Sequence, residues 1–288
     1  MRTYLALATI VATVTACAGD KAGKTAAEST AIAPGFATAP PTITITARDF
    51  AFDAPDTVSA GMVTIRLVNQ GPDLHHVQLV HLSDGKTAAD FEAGVSAMKP
   101  GAPSPPWAHD VAGPNSPLPG GEQSMTEQLE PGNYAVVCFI AGADGVPHVM
   151  KGMIRALTVT PATTATAPAP IADINVTMSD YAWQITPDVT AGKHVIRIEN
   201  IAEQSHEMFL AMLPPGKTAG DLAVWVHKQA GPPPGKPVGG ISGMGKGTVA
   251  YLQVDLEPGE YGIYCFLPDA KDGKTHVEHS MIRQISVK

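Results

Sequence analysis

The chain has 288 residues, 44% of them hydrophobic and 16% charged, with 28 glycines, 26 prolines and a formal net charge of −8. That length allows two ordinary domains, and sparse charge with abundant Gly, Pro, Thr and Val favours strands and turns over long helices. The acidic balance argues against a general nucleic-acid binder.

The first segment, "MRTYLALATIVATVTAC", has an early Arg2, an apolar run from Tyr4 to Val14 and then small residues. This is the pattern of a secretory leader, and the run is too short to span a membrane as a helix. Its end, "VTAC", resembles the lipobox of bacterial lipoproteins. The resemblance implies removal of residues 1–16 and lipidation of Cys17. The mature chain would then be lipid-anchored at the periplasmic or otherwise extracytoplasmic face of a bacterial membrane. A plain leader that happens to end near a cysteine is the alternative. Residues 17–40 are rich in Ala, Thr, Gly and Pro with no hydrophobic period, as expected of a flexible tether.

Beyond the tether the chain repeats itself. "DFAFDAPDTVSAGMVTIRLVNQGPDLHHVQLV", from Asp49, aligns with "DYAWQITPDVTAGKHVIRIENIAEQSHEMFLA", from Asp180, at a constant offset of 131. This register places Gly61 on Gly192, Asn69 on Asn200 and His75 on His206. Further on, "LEPGNY" at Leu129 meets "LEPGEY" at Leu256 at an offset of 127, which carries Cys138 onto Cys265. His148 and Met153 meet His276 and Met281 at an offset of 128. The Thr/Ala/Pro-rich stretch 161–172 separates the copies, giving expected domains at 41–160 and 173–288.

Within each copy, short alternating runs punctuated by Gly, Pro and Asn predict an antiparallel sandwich. Examples are "TITITA", "MVTIRLVN", "HVQLVHL" and "NYAVVCF" in the first copy, and "INVTMSD", "KHVIRIEN", "HEMFLAML" and "EYGIYCF" in the second. One helical segment interrupts each, at 87–99 and 218–230. In the second, Leu222, Trp225 and Val226 form an i, i+3, i+4 stripe suited to packing on the sandwich. Gly/Pro-rich stretches follow both helices, at 100–107 and 231–237.

Each copy ends an apolar run with a cysteine, follows it with a Gly/Asp-rich loop and a histidine, and places a methionine five residues later. Cys138 and Cys265 occupy equivalent positions in different copies, so a disulfide between them is not expected. Metal ligation explains two such thiols outside the cytoplasm, and so does burial as small apolar side chains.

On these residues each copy resembles a cupredoxin, the blue-copper β-sandwich family. The resemblance implies an all-β fold of two tandem Greek-key sandwiches, each with a short helical insertion. It implies copper ligands at His75, Cys138, His148 and Met153 in the first copy, and at His206, Cys265, His276 and Met281 in the second. A thiolate and two imidazoles in a trigonal plane with a weak axial thioether suit copper in both oxidation states. Phe139 and Phe266, beside the cysteines, are expected to keep water away.

Two departures from the family stand out. Nine residues separate Cys138 from His148, and ten separate Cys265 from His276, more than in familiar blue-copper proteins. The turn signals inside suggest a small hairpin or flap, which could return the histidine to the site or hold it away. The residue after the first histidine, often Asn in the family, is His76 or Glu207 here. His76 competes with His75 and His279 with His276, although the repeat register and the spacing to Met281 favour His75 and His276. His81, His109, His194 and His227 read as surface or loop residues, and Trp107 and Trp225 as packing residues.

The resemblance therefore implies a non-enzymatic electron-transfer protein with one or two type 1-like copper sites. Its partner would be a redox protein or a membrane electron-transport complex, with no small-molecule substrate. Paired cupredoxins also build copper oxidases and nitrite reductases, but this chain has no His-x-His or His-Cys-His pair for a catalytic copper. A metal-free docking subunit capping a photosynthetic or respiratory complex is the alternative.

Overall fold

The computed structural model describes residues 39–98, 104–228 and 235–288. The leader, Cys17 and the tether up to residue 38 lie outside the described residues, as do the ends of both predicted helical segments, much of the Gly/Pro-rich stretches and the His227 side chain.

In the first half the strands are β1 (Thr42–Arg48), β2 (Ala51–Asp53), β3 (Thr57–Ser59), β4 (Gly61–Asn69) and β5 (Gln78–Leu82). Helix α1 (Ala88–Ala97) follows, then β6 (Ala108–Ala112), β7 (Glu122–Leu129), β8 (Gly132–Val137), a 3-10 turn over His148–Lys151 and β9 (Ile154–Thr160). The second half repeats this with β10 (Ile174–Ser179), β11 (Ala182–Thr186), β12 (Gly192–Asn200) and β13 (His206–Leu213). It continues through α2 (Ala219–Lys228), β14 (Lys236–Met244), β15 (Val249–Leu256), β16 (Gly259–Tyr264) and β17 (Ile282–Val287).

The fold is all-β, as expected, with a helix inserted in each half. Strands β3, β9, β8, β5 and β6 form one outer sheet, and β14, β13, β16 and β17 form another. An eight-stranded sheet is shared by the two halves, in the order β11-β10-β12-β15-β7-β4-β1-β2. The halves join where β7 pairs antiparallel with β15, and there Met125 lies opposite Leu252. Those two residues are equivalent positions of the repeat at the 127 offset, so the junction lies on the pseudo-twofold axis. Their side chains are fully buried, as are Ile65 and Leu67 of β4 and Ile198 of β12. Each such side chain is worth about 1.5–3 kcal/mol of burial, so the shared sheet is held by its core face as well as by its ladder.

Further bonds cross between the halves. Gln78 Nε2 donates to Gly243 O at 2.9 Å, and Ser242 Oγ donates to Val77 O at 2.8 Å. Strand β14 makes this possible because it bulges. Gly239 and Gly240 have φ of 108° and 130°, and a Cβ on either would sit 2.0 Å from Gln123 Oε1 or Met208 O. Only glycine tolerates both the conformation and the approach.

Local chemistry explains why both copies fold alike. Thr87 caps α1 by accepting from Asp90 N while Asp90 accepts from Thr87 N, a reciprocal capping box. Tyr134 donates to Glu130 O and Tyr261 to Glu257 O, both at 2.9 Å, so the two "LEPG" corners are pinned in the same way. The stretch 161–172 is mostly exposed, without helix or strand.

Candidate metal centres

Asn69 and Asn200 end equivalent strands, and each folds the following turn back on itself. Asn69 Oδ1 accepts from Gly71 N at 3.0 Å while its amide donates to Asp73 O at 2.9 Å. Asn200 makes the matching bonds to Ala202 N and Gln204 O at 3.0 and 2.9 Å. This local side-chain turn delivers His75 and His206 to the core end of the sandwich.

The cysteine loops supply the other groups. Each is a small flap closed by a bridge, Ala141 to Pro147 in the first half and Pro268 to Thr275 in the second. Backbone bonds then bring the histidine home: His148 N donates to Ile140 O at 2.8 Å, and His276 N donates to Leu267 O at 2.9 Å. The excess length therefore forms a hairpin that returns the imidazole to the thiol. Met153 N bonds His148 O at 3.0 Å and Met281 N bonds His276 O at 2.9 Å, which fixes the loop's exit.

In the first half His75, Cys138 and His148 converge, with ligand atoms within 4.8 Å of one another, and His206, Cys265 and His276 do so in the second. Cys138 Sγ lies 3.6 Å from His148 Nδ1, which is 3.1 Å from His75 Nδ1. Cys265 Sγ lies 3.1 Å from His276 Nδ1 and 3.9 Å from His206 Nδ1. All six residues are 0% exposed, as are Met153 and Met281. Met153 shares an apolar cluster with Cys138, and Met281 shares one with Cys265.

Carboxylates hold the outer faces of the rings. Asp49 Oδ1 lies 2.6 Å from His75 Nε2, and Asp180 Oδ1 lies 3.1 Å from His206 Nε2. These aspartates occupy equivalent positions but were not singled out from sequence. Their signal was the "DF" and "DY" that begin the aligned blocks. A second pair is longer: His148 Nε2 to Asp73 at 3.9 Å and His276 Nε2 to Asp269 at 3.7 Å. Both of those ring nitrogens are buried without a hydrogen bond.

Burial disfavours the charged forms of Cys138, Cys265, His148, His206 and His276. Burial pushes the Cys138 thiol up to about 12 and the Cys265 thiol well above its usual range. Burial, then the neighbouring His206, brings His276 down to about 4. Burial and then His75 also lower His148, and burial lowers His206. A soft sulfur and two imidazole nitrogens, dry and aimed at one point, fit copper better than a hard cation with oxygen preference.

The aromatic cover differs from the expectation. Phe139 is 37% exposed and packs beside His76 and Phe91, and Phe266 packs on Phe209 and Tyr264. The reason is strand alternation: a residue following an inward cysteine points to the opposite face. Phe50 covers His148 instead, with centroids 4.8 Å apart, and Tyr181 covers His276 at 5.6 Å. Those two are again equivalent at the 131 offset.

The competing histidines face elsewhere. His76 accepts from Phe139 N through Nε2 at 2.9 Å, and burial lowers it to about 3, so it is the neutral acceptor this bond requires. Glu207 does the same for Phe266 N at 2.7 Å. His279 lies just past the second flap, with Nε2 3.2 Å from Asp272 on it. With Asp269 and Asp272 it forms a third group close enough to hold a cation. Its Asp269 carboxylate is already engaged by Tyr181 OH at 2.5 Å and Lys271 N at 2.7 Å. His81 lies against Tyr134, His194 bonds Asp173, and Trp107 packs on Phe91. Trp225 reaches across from the second half to line a recess with Asp73, Ile140 and His148.

No family model and no curated protein matches the chain. Among solved structures, auracyanin from the photosynthetic bacterium Roseiflexus castenholzii aligns at 23% identity and TM-score 0.31, over 43% of this chain and 100% of that one. Auracyanin A, a "blue" copper protein of Chloroflexus aurantiacus, aligns at 28% identity and TM-score 0.30, over 42% and 100%. A copper-containing nitrite reductase from Thermus scotoductus spans more of the chain, 87% of it and 62% of its own, at 14% identity and TM-score 0.25.

Proposed function

We propose that this is a lipid-anchored, extracytoplasmic electron-transfer protein with a type 1-like copper at one or both sites. The observation that carries the reading is the duplicated convergence of one buried thiol and two imidazole Nδ1 atoms. His75, Cys138 and His148 would hold the metal in the first half, and His206, Cys265 and His276 in the second. Met153 and Met281 would close the apolar side. Bound copper would supply a one-electron couple.

The protein's own residues do the rest. Asp49 and Asp180 orient the first imidazole of each set. His76 and Glu207 fix the start of each flap, so the sulfur is held rather than free to swing. Phe50 and Tyr181 exclude water from the loop histidines. A dry, pre-organised donor set changes little between oxidation states, which lowers the cost of moving an electron. The partner would be a redox protein or a membrane electron-transport complex, and no bond chemistry on a substrate is required.

The test is titration of the soluble chain with Cu(II), followed by absorption and paramagnetic resonance. An intense sulfur-to-copper charge-transfer band is expected, diminished in Cys138→Ser or Cys265→Ser and abolished in the double variant. Binding with no such band would refute the reading.

A further inference from the structure

The two flaps are anchored differently. Gln204 lies in the turn that leads into His206 and β13, and its one carboxamide reaches three places. Its Oε1 accepts from Ala270 N of the second flap at 3.0 Å. Its Nε2 donates to Asp269 Oδ2 at 3.2 Å and to Asp180 Oδ1 at 3.3 Å. Asp180 is the carboxylate that holds His206, and Asp269 Oδ2 lies 3.7 Å from His276 Nε2. Tyr181 OH donates to the same Asp269 oxygen at 2.5 Å. The turn that carries one imidazole is thus tied to the flap that carries the other.

The first half lacks the parts for this tie. At the 131 offset Gln204 and Tyr181 fall on Asp73 and Phe50, and at the 127 offset Asp269 falls on Gly142. Phe50 and Gly142 carry no side-chain hydrogen-bonding group, and an ionised Asp73 has no donor. Among the described residues no hydrogen bond joins 70–74 to 140–147. The first flap is held from its exit instead: Lys151 Nζ pairs with Asp144 at 2.9 Å and lies 4.4 Å from the centre of the Phe50 ring. The Asp144 side chain is 55% exposed, so water competes for that pair. Gly142, Asp73 and Trp225 line the recess against His148. A Cβ on Gly142 would lie 3.5 Å from His148 Nε2, so the glycine keeps space open beside that ring.

We propose that Gln204 is a positioning residue of the second centre alone: by bridging Asp180 to Asp269 and Ala270 it clasps the flap over Cys265, and the first centre, without that clasp, is the one that opens. Entry of a small reagent, or departure of a seated metal, requires the loop histidine to move away from the strand histidine. In the second half that local opening must break the Gln204 bonds to Ala270 and Asp269. In the first half no bond between turn and flap opposes it. The two centres are therefore unequal, one exchangeable and one closed. The consequence for metal release rests on the copper reading above, whereas the consequences for the metal-free chain do not.

The first experiment alkylates the metal-free chain with iodoacetamide, whose iodide the thiolate sulfur displaces, and follows Cys138 and Cys265 separately by peptide mass spectrometry. Amide exchange is read by NMR on the same samples. Gln204→Met keeps side-chain length and removes all three hydrogen bonds. It should speed alkylation of Cys265 and exchange at Ala270 by about ten-fold, the equivalent of one hydrogen bond. Cys138 and the amides at the centre of β12 should not change, whereas a general loss of stability would move them too, because the halves share a sheet. Unmoved Cys265 and Ala270, or equal acceleration of both cysteines, overturns the proposal. Gln204→Glu is the second variant, independent of whether the methionine variant folds: it keeps the acceptor for Ala270 N but sets a third carboxylate against Asp180 and Asp269. A Cys265 no faster than in the parent overturns the proposal here as well. In copper-loaded chains a chelator should strip the first site, in a Cys265→Ser background, faster than the second, in a Cys138→Ser background. Gln204→Met should speed stripping of the second alone, and equal rates in the two parents count against the clasp. Absence of copper binding in the parent sinks the copper reading while alkylation and exchange still decide the role of Gln204.

Discussion

Removing the Asp49 carboxylate should weaken metal binding in the first half more than removing Asp180 weakens it in the second. Asp49 Oδ1 is 2.6 Å from His75 Nε2, and its side chain is 23% exposed. Asp180 is 3.1 Å from His206 and 44% exposed, so water screens and competes for it more. Carboxylates that orient a metal-bound histidine are typically worth about 10–100-fold in affinity, or about 1.4–2.8 kcal/mol. Asp49→Asn is therefore expected near the upper end and Asp180→Asn near the lower. Each is measured by competition with a copper chelator, Asp49→Asn in a Cys265→Ser background and Asp180→Asn in a Cys138→Ser background, so that one site reports at a time. Affinity of Asp49→Asn within about two-fold of its parent, or a larger loss for Asp180→Asn, would refute the reasoning.

The same contact predicts the effect of Gly71→Ala. A Cβ there would lie 2.5 Å from Asp49 Oδ1 and 2.6 Å from His75 Nε2, so the pair must part. Position 202 already carries that methyl as Ala202, and the equivalent contact is the longer one. Chelator competition should therefore show the first site falling toward the affinity of the second. Glu127 is buried with both carboxylate oxygens unpartnered, and desolvation raises it well above the usual carboxylate range. A raised acid contributes stability that is present below its unfolded value, about 4.3, and is lost as pH rises through the folded value. Thermal melts should thus show Glu127→Gln stabilised at pH 7, by about 1–3 kcal/mol, with the gain shrinking toward pH 4. A gain that grows on acidification would contradict this sign. His194 has the same dependence at a higher pH: burial lowers it, but the Asp173 hydrogen bond prevails and raises it overall. Its contribution is complete below its unfolded value, about 6.5, and disappears as pH rises through the folded value. His194→Gln should cost under about 1 kcal/mol at pH 6 and nothing at pH 9 in the same melts. Because burial holds the Cys138 thiol protonated up to about 12, copper uptake should release a proton and tighten with pH between 6 and 8, as read by titration calorimetry in buffers of different ionisation enthalpy.

The duplication, the all-β class and the six side chains that converge in the fold are all legible in the amino-acid order. Those features are written locally: the 131 and 127 offsets, the alternating runs, the Asn-led turn before each first histidine, and a cysteine at a strand end followed by turn residues. Hydrophobic period and turn chemistry act over a few residues, so they survive in one dimension. The destination of each flap was open at that level, because length alone does not say which way a hairpin closes. Backbone bonds from His148 N to Ile140 O and from His276 N to Leu267 O decided it.

Tertiary structure alone decided what surrounds the donors and how the halves relate. Gly239 and Gly240 are poor strand formers, yet they lie in β14, which carries Ile241 beside Asn115. Phe139 and Phe266 sit beside the cysteines in sequence, but pleat alternation turns them outward and leaves the cover to Phe50 and Tyr181, roughly ninety residues away. Asn115 is an ordinary residue in a Gly/Pro-rich stretch until β7 pairs with β15 and brings Glu207 to its amide. Hydrogen bonds between distant segments leave no period or spacing behind them, since any residue of suitable shape can make them once the sheet has closed.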